Sequence, residues 1–353
     1  LRSNARYYNG TRSEAKAAVV WSDTTANFYT GAGAQLMDAK AVAPTSRVGN
    51  LEAEFSGISE ALLQAHVPFD VIDDVTLERE PLGRYKAVFL PNVACMSDTA
   101  AARLRDYVRA GGAIFATFET SLYDGTGVRR GDFALRDVFG IGDAHRLAGP
   151  RRWDYMRPAS VDPLLKGIQR EMIPSPAYYV AVSAKAARPV LRYTKPLAGP
   201  YDGVPETSGD PALLVNRFGK GKSVYSSGDF GNTIASFHAP ELLDIAANTA
   251  RELSPPAFEL SGAPGSVEAV LRSQNDGHRL LLHLVNFTGE MTRPIRRVIP
   301  LEHVTVRFAN IGPVKKAYTL VERGPVPVKR NAQDGTEFSL PPIAEYEVLV
   351  IER

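Results

Sequence analysis

"YKAVFLPNVACMSDTAAARLRDYVRAGGAIFATFET", residues 85–120, decides how this chain folds. Two short apolar runs, "YKAVFLPN" and "AIFAT", flank a segment in which Leu104, Tyr107 and Val108 share one face at helical spacing. Ser97 or Asp98 can cap that helix, since a short polar side chain accepts from the free N–H groups of the first turn. Gly111-Gly112 ends it, because the residue closing a helix usually turns left-handed. A strand, a helix and a strand joined in this way force parallel pairing through a right-handed crossover.

The same texture extends in both directions. Upstream, "AAVVWSD" (residues 17–23) reads as a buried strand, and a long polar segment containing glycine, residues 24–49, follows. Leu51, Phe55, Ile58 and Leu62 predict an amphipathic helix ending near His66, and "PFDVID" a second strand. Downstream, the pattern dissolves over residues 143–176, which read as a Pro- and Arg-bearing insertion. "YYVAVSA", "RPVLRYT" and "PALLVNRFGKGKSVYSSGD" restore strands, the last with a hairpin turn at Gly219-Lys220-Gly221. Pro240 opens a helix carrying Leu242, Ala246, Thr249 and Leu253 on one face, and Ser254-Pro255-Pro256 stops it. From "SVEAVLRSQ" to "EYEVLVIER" only strand patterns remain. The expected fold class is therefore α/β, a doubly wound parallel sheet, followed by a small all-β sandwich.

Composition sets the outer bounds. The chain has 353 residues, 44% hydrophobic and 23% charged, enough for about two domains with cores of their own. With 41 basic against 39 acidic residues the formal charge is +2, which gives no electrostatic footprint for nucleic acid. Arg151-Arg152, close after Arg146, reads as a solvated loop. Cys95 is the single cysteine, so an internal disulfide and a cysteine zinc site are excluded. That usage fits a reducing compartment, and the cytoplasm is the expected location. No apolar run reaches the roughly 18 residues of a membrane span, and no membrane partner is expected. The opening Leu1-Arg2-Ser3 lacks an initiator methionine and reads as a piece of something longer.

In a doubly wound sheet, ligands sit beyond the carboxyl ends of the strands. The polar residues expected there are Asp23, Asn27, Asp73, Asn92, Cys95, Glu119, Ser121, Tyr123, Asp124 and Asp229. A carboxylate cluster at that edge suits sugar binding or acid and base work, whereas polar loop residues collect at strand ends in any case. Cys95 precedes a helix but has no nucleophile elbow around it, and a small buried cysteine is the plainer reading. The histidines, His66, His145, His238, His278, His283 and His303, form no metal-binding spacing. His283 lies in an alternating strand, while His238 follows a polar loop from Asp229 and stays a site candidate. Gly31-Ala32-Gly33 lies too far down its loop for a dinucleotide fingerprint, and "GKGKS" joins two strands rather than a strand and a helix. No cofactor is expected.

The order "PFDVIDD", "LGRYKAVFLPNVACMSDTAAARLRDYVRAGGAIFATFETSLYDGTG" and "DFALRDVFGI" resembles the middle, trimerisation domain of family-42 β-galactosidases. Wider relatives of that domain share the class I glutamine amidotransferase-like, flavodoxin-like sheet. "RFGKGKSVYSSGDFG" with "APELLDIAANTAREL" resembles its closing hairpin and helix, and the tail is similar to the small C-terminal β-domain of the same enzymes. The resemblance implies a linker over residues 1–15 from an upstream barrel, an α/β domain over 16–256 and a β-sandwich domain over 257–353. It implies a homo-oligomer, a trimer, with the upstream (β/α)₈ barrel of the same polypeptide as a further partner. The barrel that carries both catalytic carboxylates is absent from these residues. Phe118-Glu119-Thr120 stands where the amidotransferase elbow would place a cysteine, which removes glutaminase chemistry.

Two functions follow as expectations. The first is a non-catalytic accessory and oligomerisation region of a glycoside hydrolase, with Asp23, Glu119, Tyr123, Asp124 and Asp229 lining a carbohydrate-facing pocket. The second is an independent sugar-binding or hydrolytic domain, for which Glu119, Ser121 and His238 are the catalytic candidates, with Asp124 and Asp229 beside them. Carbohydrate binding by the β-domain alone is weighed against its few aromatics, Phe287, Phe308, Tyr318, Phe338 and Tyr346.

Overall fold

The computed structural model describes residues 4–29, 48–151, 154–197, 199, 203–290, 294–331 and 335–353; Gly31-Ala32-Gly33 lies outside them. The elements are α1 (Ala5–Tyr8), β1 (Arg12–Ser13), β2 (Ala17–Val20), α2 (Asp23–Phe28), α3 (Leu51–Gln64), β3 (Phe69–Ile72), α4 (Asp74–Arg79), β4 (Ala87–Leu90), α5 (Asp98–Ala110) and β5 (Ala113–Thr117). There follow α6 (Arg136–Phe139), β6 (Ile141–Ala148), β7 (Tyr155–Pro158), β8 (Ile173–Pro174), β9 (Tyr179–Ala184), β10 (Arg188–Thr194), β11 (Thr207–Phe218), β12 (Gly221–Ser226), α7 (Phe230–Phe237) and α8 (Pro240–Leu253). The last strands are β13 (Glu259–Ser261), β14 (Val267–Gln274), β15 (Arg279–Asn286), β16 (Thr305–Phe308), β17 (Lys316–Thr319), β18 (Val328–Asn331), β19 (Gly335–Ser339) and β20 (Tyr346–Glu352). The result is a mixed α/β structure with several sheets, divided into two compact units.

The larger unit, Ala17–Ala61 with Val71–Ser254, is built on a sheet ordered β3-β2-β4-β5-β12-β11-β10-β7-β8. β2, β4 and β5 are buried at every position, which is why their sequences are continuous apolar runs rather than alternating ones. β2–β4, β4–β5 and β5–β12 pair in parallel, as the strand–helix–strand reading requires. β12–β11, β11–β10, β10–β7 and β7–β8 pair antiparallel, so the wholly parallel sheet expected from the sequence is corrected to a mixed one. The short connections explain this, since a turn at Gly219-Lys220 leaves no room for a crossover helix. β7 and β8 lie within residues 143–176, where the pattern dissolves: strands of four and two residues are too short to show a period.

Ser97 caps α5 by accepting from Ala100 N–H at 3.1 Å, and Gly111 closes it at φ +121°. Two helices break the expected polar loops. α2 starts at Asp23 and runs into residues 24–49, with Ser22 accepting from Thr25 N–H at 3.0 Å. α7 occupies the stretch from Asp229 expected as a loop, which makes His238 the C-cap of that helix. Among the described residues no helix is long and apolar enough to cross a membrane.

The smaller unit comprises residues up to Lys16, Leu62–Asp70 and Pro255–Arg353. Its five-stranded sheet runs β1-β14-β15-β20-β17 and its four-stranded sheet β13-β16-β19-β18. Both contribute to one core: Leu271, Leu282 and Leu349 come from the first sheet, Val306, Phe308 and Phe338 from the second. β1 pairs with β14, so residues 12–13, expected within a linker, stand in a sheet.

In the larger unit, Gly57 of α3 and Gly231 of α7 bring two helix backbones together. A Cβ on Gly57 would lie 1.9 Å from the Gly231 carbonyl oxygen, and one on Gly231 2.3 Å from that of Glu54. Gly57→Ala gains about 1 kcal/mol of helix propensity. The overlap with backbone outweighs it, for a net loss of about 1–3 kcal/mol. Urea unfolding should show this as a lower midpoint at unchanged slope; an unmoved midpoint would mean that the helices separate freely.

Candidate functional site

The residues that follow β4 and β5 at their carboxyl ends turn left-handed, Asn92 at φ +43° and Phe118 at φ +51°. Such angles are uncommon for an aromatic residue and must be held by surroundings. Phe118 is held on both sides: its N–H donates to Ser226 O at 2.8 Å, and its carbonyl accepts the Tyr225 hydroxyl at 2.6 Å. The turn carries Glu119 into a site where only 4% of it is exposed.

From there one connected network crosses the sheet end. The Tyr29 hydroxyl donates to Glu119 Oε2 at 2.5 Å, and Glu119 N–H donates to Asn92 Oδ1 at 3.2 Å. Asn92 N–H donates to Thr117 Oγ1 at 2.9 Å, and that hydroxyl donates to Glu54 Oε2 at 2.6 Å. Glu54 also accepts from Gly231 N–H at 3.1 Å and Asn232 N–H at 3.3 Å, in the first turn of α7. Beside it, Asp229 accepts from Tyr178 N–H at 3.1 Å and Asn232 Nδ2 at 2.9 Å.

Burial sets the electrostatics. Three donors face the Glu54 carboxyl, the arrangement that suits its anion, but they do not offset complete removal from water. Burial pushes it from 4.5 up to about 8, helped by the neighbouring Asp229 and countered by Thr117 and the α7 N–H groups. Burial likewise raises Asp229 from 3.8 to about 6, against the hydrogen bonds from Asn232 and Tyr178. Burial, then the charge and hydrogen bond of Glu119, hold the Tyr29 hydroxyl well above its ordinary range.

Of the residues singled out in sequence, Glu119 and Asp229 belong to this network, and Tyr123 packs its ring edge-on to Tyr29 at 5.2 Å. Ser121, at φ +70° and buried, accepts from Leu135 N–H at 3.2 Å. Asp124 clamps a turn, its Oδ1 accepting from Thr126 N–H, the Thr126 hydroxyl and Val128 N–H, which lowers its pKa. Asp23 accepts from Trp21 Nε1 at 3.0 Å in the exposed first turn of α2. His238 faces Glu60 at 3.0 Å, at the far end of the eight-residue α7 from Asp229. At 1.5 Å per residue their nine-position separation is about 13 Å. His238 and Asp229 therefore do not converge. Cys95 is buried, its N–H donating to Thr25 Oγ1 at 3.1 Å.

Glu54 was missed, and a signal for it existed: it stands inside the stripe Leu51, Phe55, Ile58 and Leu62, where a carboxylate has no reason to be unless it is paired. Among the described residues no group of three or more His, Cys, Asp or Glu could hold a metal ion. Carboxyls this buried brace the fold from within.

A group that binds its proton more tightly folded than unfolded contributes stability that is complete below the unfolded pKa and is lost as pH rises. For Glu54 that window runs from 4.5 to about 8. Glu54→Gln places an amide N–H against a backbone donor and should lower stability at pH 5, while flattening the decline between pH 5 and 8. Urea midpoints across that range measure both effects, and a variant as steep as the parent would show that another group carries the decline.

Residues 15–244 match the family model described as the β-galactosidase trimerisation domain. Among curated proteins, β-galactosidase BglY of Alicyclobacillus acidocaldarius is 30% identical over 238 residues, 65% of this chain and 30% of that protein. Among solved structures, α-L-fucosidase isoenzyme 2 from Paenibacillus thiaminolyticus superposes at a TM-score of 0.72 with 18% identity, over 99% of this chain and 50% of that one. β-Galactosidase from Bacillus circulans sp. alkalophilus superposes at 0.68 with 20% identity, over 99% of this chain and 43% of that one. At such identities the two structures show a shared fold. The chain thus spans half or less of each of these three proteins. With the family model covering well over half of its residues, the chain belongs to the β-galactosidase trimerisation domain family.

Proposed function

We propose that this chain is the non-catalytic accessory and assembly region of a β-galactosidase-like glycoside hydrolase. The match to the trimerisation domain over residues 15–244 carries the reading. The burial of Glu54, Glu119 and Asp229 supports it, because acid groups that take part in hydrolysis must reach a sugar. On this reading the parallel strands β2, β4, β5 and β12 are the flavodoxin-like, doubly wound core of a domain spanning residues 16–256. Residues 257–353 are the accessory β-sandwich. Glu119, Tyr123 and Asp229 act as braces, and Asp23 at the start of α2 and Asp124 on its turn approach a carbohydrate site completed by other parts of the protein. The chain self-associates, with three copies as the assembly that the family description implies, and a catalytic barrel of the same polypeptide is its other partner.

Light scattering on this chain should give a mass near three times 38.4 kDa at roughly ten micromolar and above. A strict monomer throughout that range would remove the assembly role. The same preparation should leave an aryl β-galactoside intact. Turnover that disappears in Glu119→Gln would instead establish a hydrolytic centre within these residues.

A further inference from the structure

Within the smaller unit, α1 lies over the outer face of the five-stranded sheet, where Tyr7 packs with Leu281, Leu320, Val348 and Val350. At its margin Arg6, Tyr7, Lys316, Tyr318, Arg323 and Gly324 help line a concavity of about 470 Å³. That volume lies within the range of small-molecule sites. We propose that this concavity binds a small ligand through an oxyanion, a phosphate or a carboxylate.

Three observations point there together. First, the charges are one-sided: Arg6, Lys316 and Arg323 line the concavity and no Asp or Glu does. All three are exposed, and none forms an ion pair among the described residues. Second, the floor is fixed. The Tyr7 and Tyr318 hydroxyls lie 3.0 Å apart, and Tyr318 donates to Glu352 Oε1 at 3.0 Å, which Arg279 also meets at 3.2 Å. Glu352 is thus already committed behind the tyrosines. Third, the rim is held. Buried Glu347 accepts from the N–H groups of Leu320 at 3.1 Å, Val321 at 2.9 Å and Glu322 at 3.1 Å. Thr319 N–H donates to Gly324 O at 3.0 Å and sets the left-handed Arg323, at φ +52°, between those anchors. A guanidinium on a fixed turn beside an ammonium suits an oxyanion, because little ordering remains to be done on binding.

Isothermal titration of the full chain at low salt tests this with four probes: inorganic phosphate, galactose 6-phosphate, galacturonate and galactose. At least one anion should saturate, and the ranking of bare phosphate, sugar phosphate and sugar acid identifies the source of the oxyanion. The double variant Lys316→Ala/Arg323→Ala should weaken that binding about tenfold or more. A control removing two exposed cations elsewhere, Arg129→Ala/Lys185→Ala, should leave it intact. The proposal fails if no anion saturates, if galactose binds as tightly as the tightest anion, or if the two double variants behave alike. Because the altered side chains are exposed, circular dichroism should show both variants folded.

Discussion

One carboxyl group organises the larger unit. The first N–H groups of any helix lack partners within it, and a carboxyl removed from water lacks the donors it had there. Glu54 on α3 and the first turn of α7 each supply what the other lacks, and Thr117 at the end of β5 adds a third donor. The arrangement is possible only because Gly57 and Gly231 let the two helix backbones approach without a Cβ between them. The positions of α3, α7 and the tip of β5 are consequently set together. Moving any one of them leaves polar groups stranded in the interior.

The same network ties together acid groups that stand far apart in sequence at this end of the sheet. Asn92 passes the chain of hydrogen bonds from Thr117 to the backbone of Glu119, and Tyr29 closes it on the Glu119 carboxyl. Every bond points inward. The hydrogen bonds at this edge fix the loops that follow the strands.

The smaller unit repeats this device with different parts. Glu347, 1% exposed, gathers backbone N–H groups from the turn after β17, as Glu54 gathers them from a helix start. In both places a buried carboxyl group replaces the water that a tight turn or a helix end would otherwise need. The β-unit turn, unlike the helix start, presents a cation, Arg323, outward on the segment it secures.

What the amino-acid sequence determined by itself was local. Continuous apolar runs at β2, β4 and β5, the Ser97 cap, the Gly111 stop and the Gly219-Lys220 turn follow from period, capping and backbone freedom, and each is readable within about ten residues. The family resemblance rests on the order of those elements. Tertiary structure alone decided the rest. β7 and β8 are too short to carry a period and exist because a neighbouring strand completes their hydrogen bonds. Glu54 and Gly231 are 177 residues apart, and His238 and Asp229, nine positions apart in sequence, are driven to opposite ends of one helix. Whether a carboxylate is a catalyst or a brace depends on how much water reaches it, and water access belongs to the packed fold.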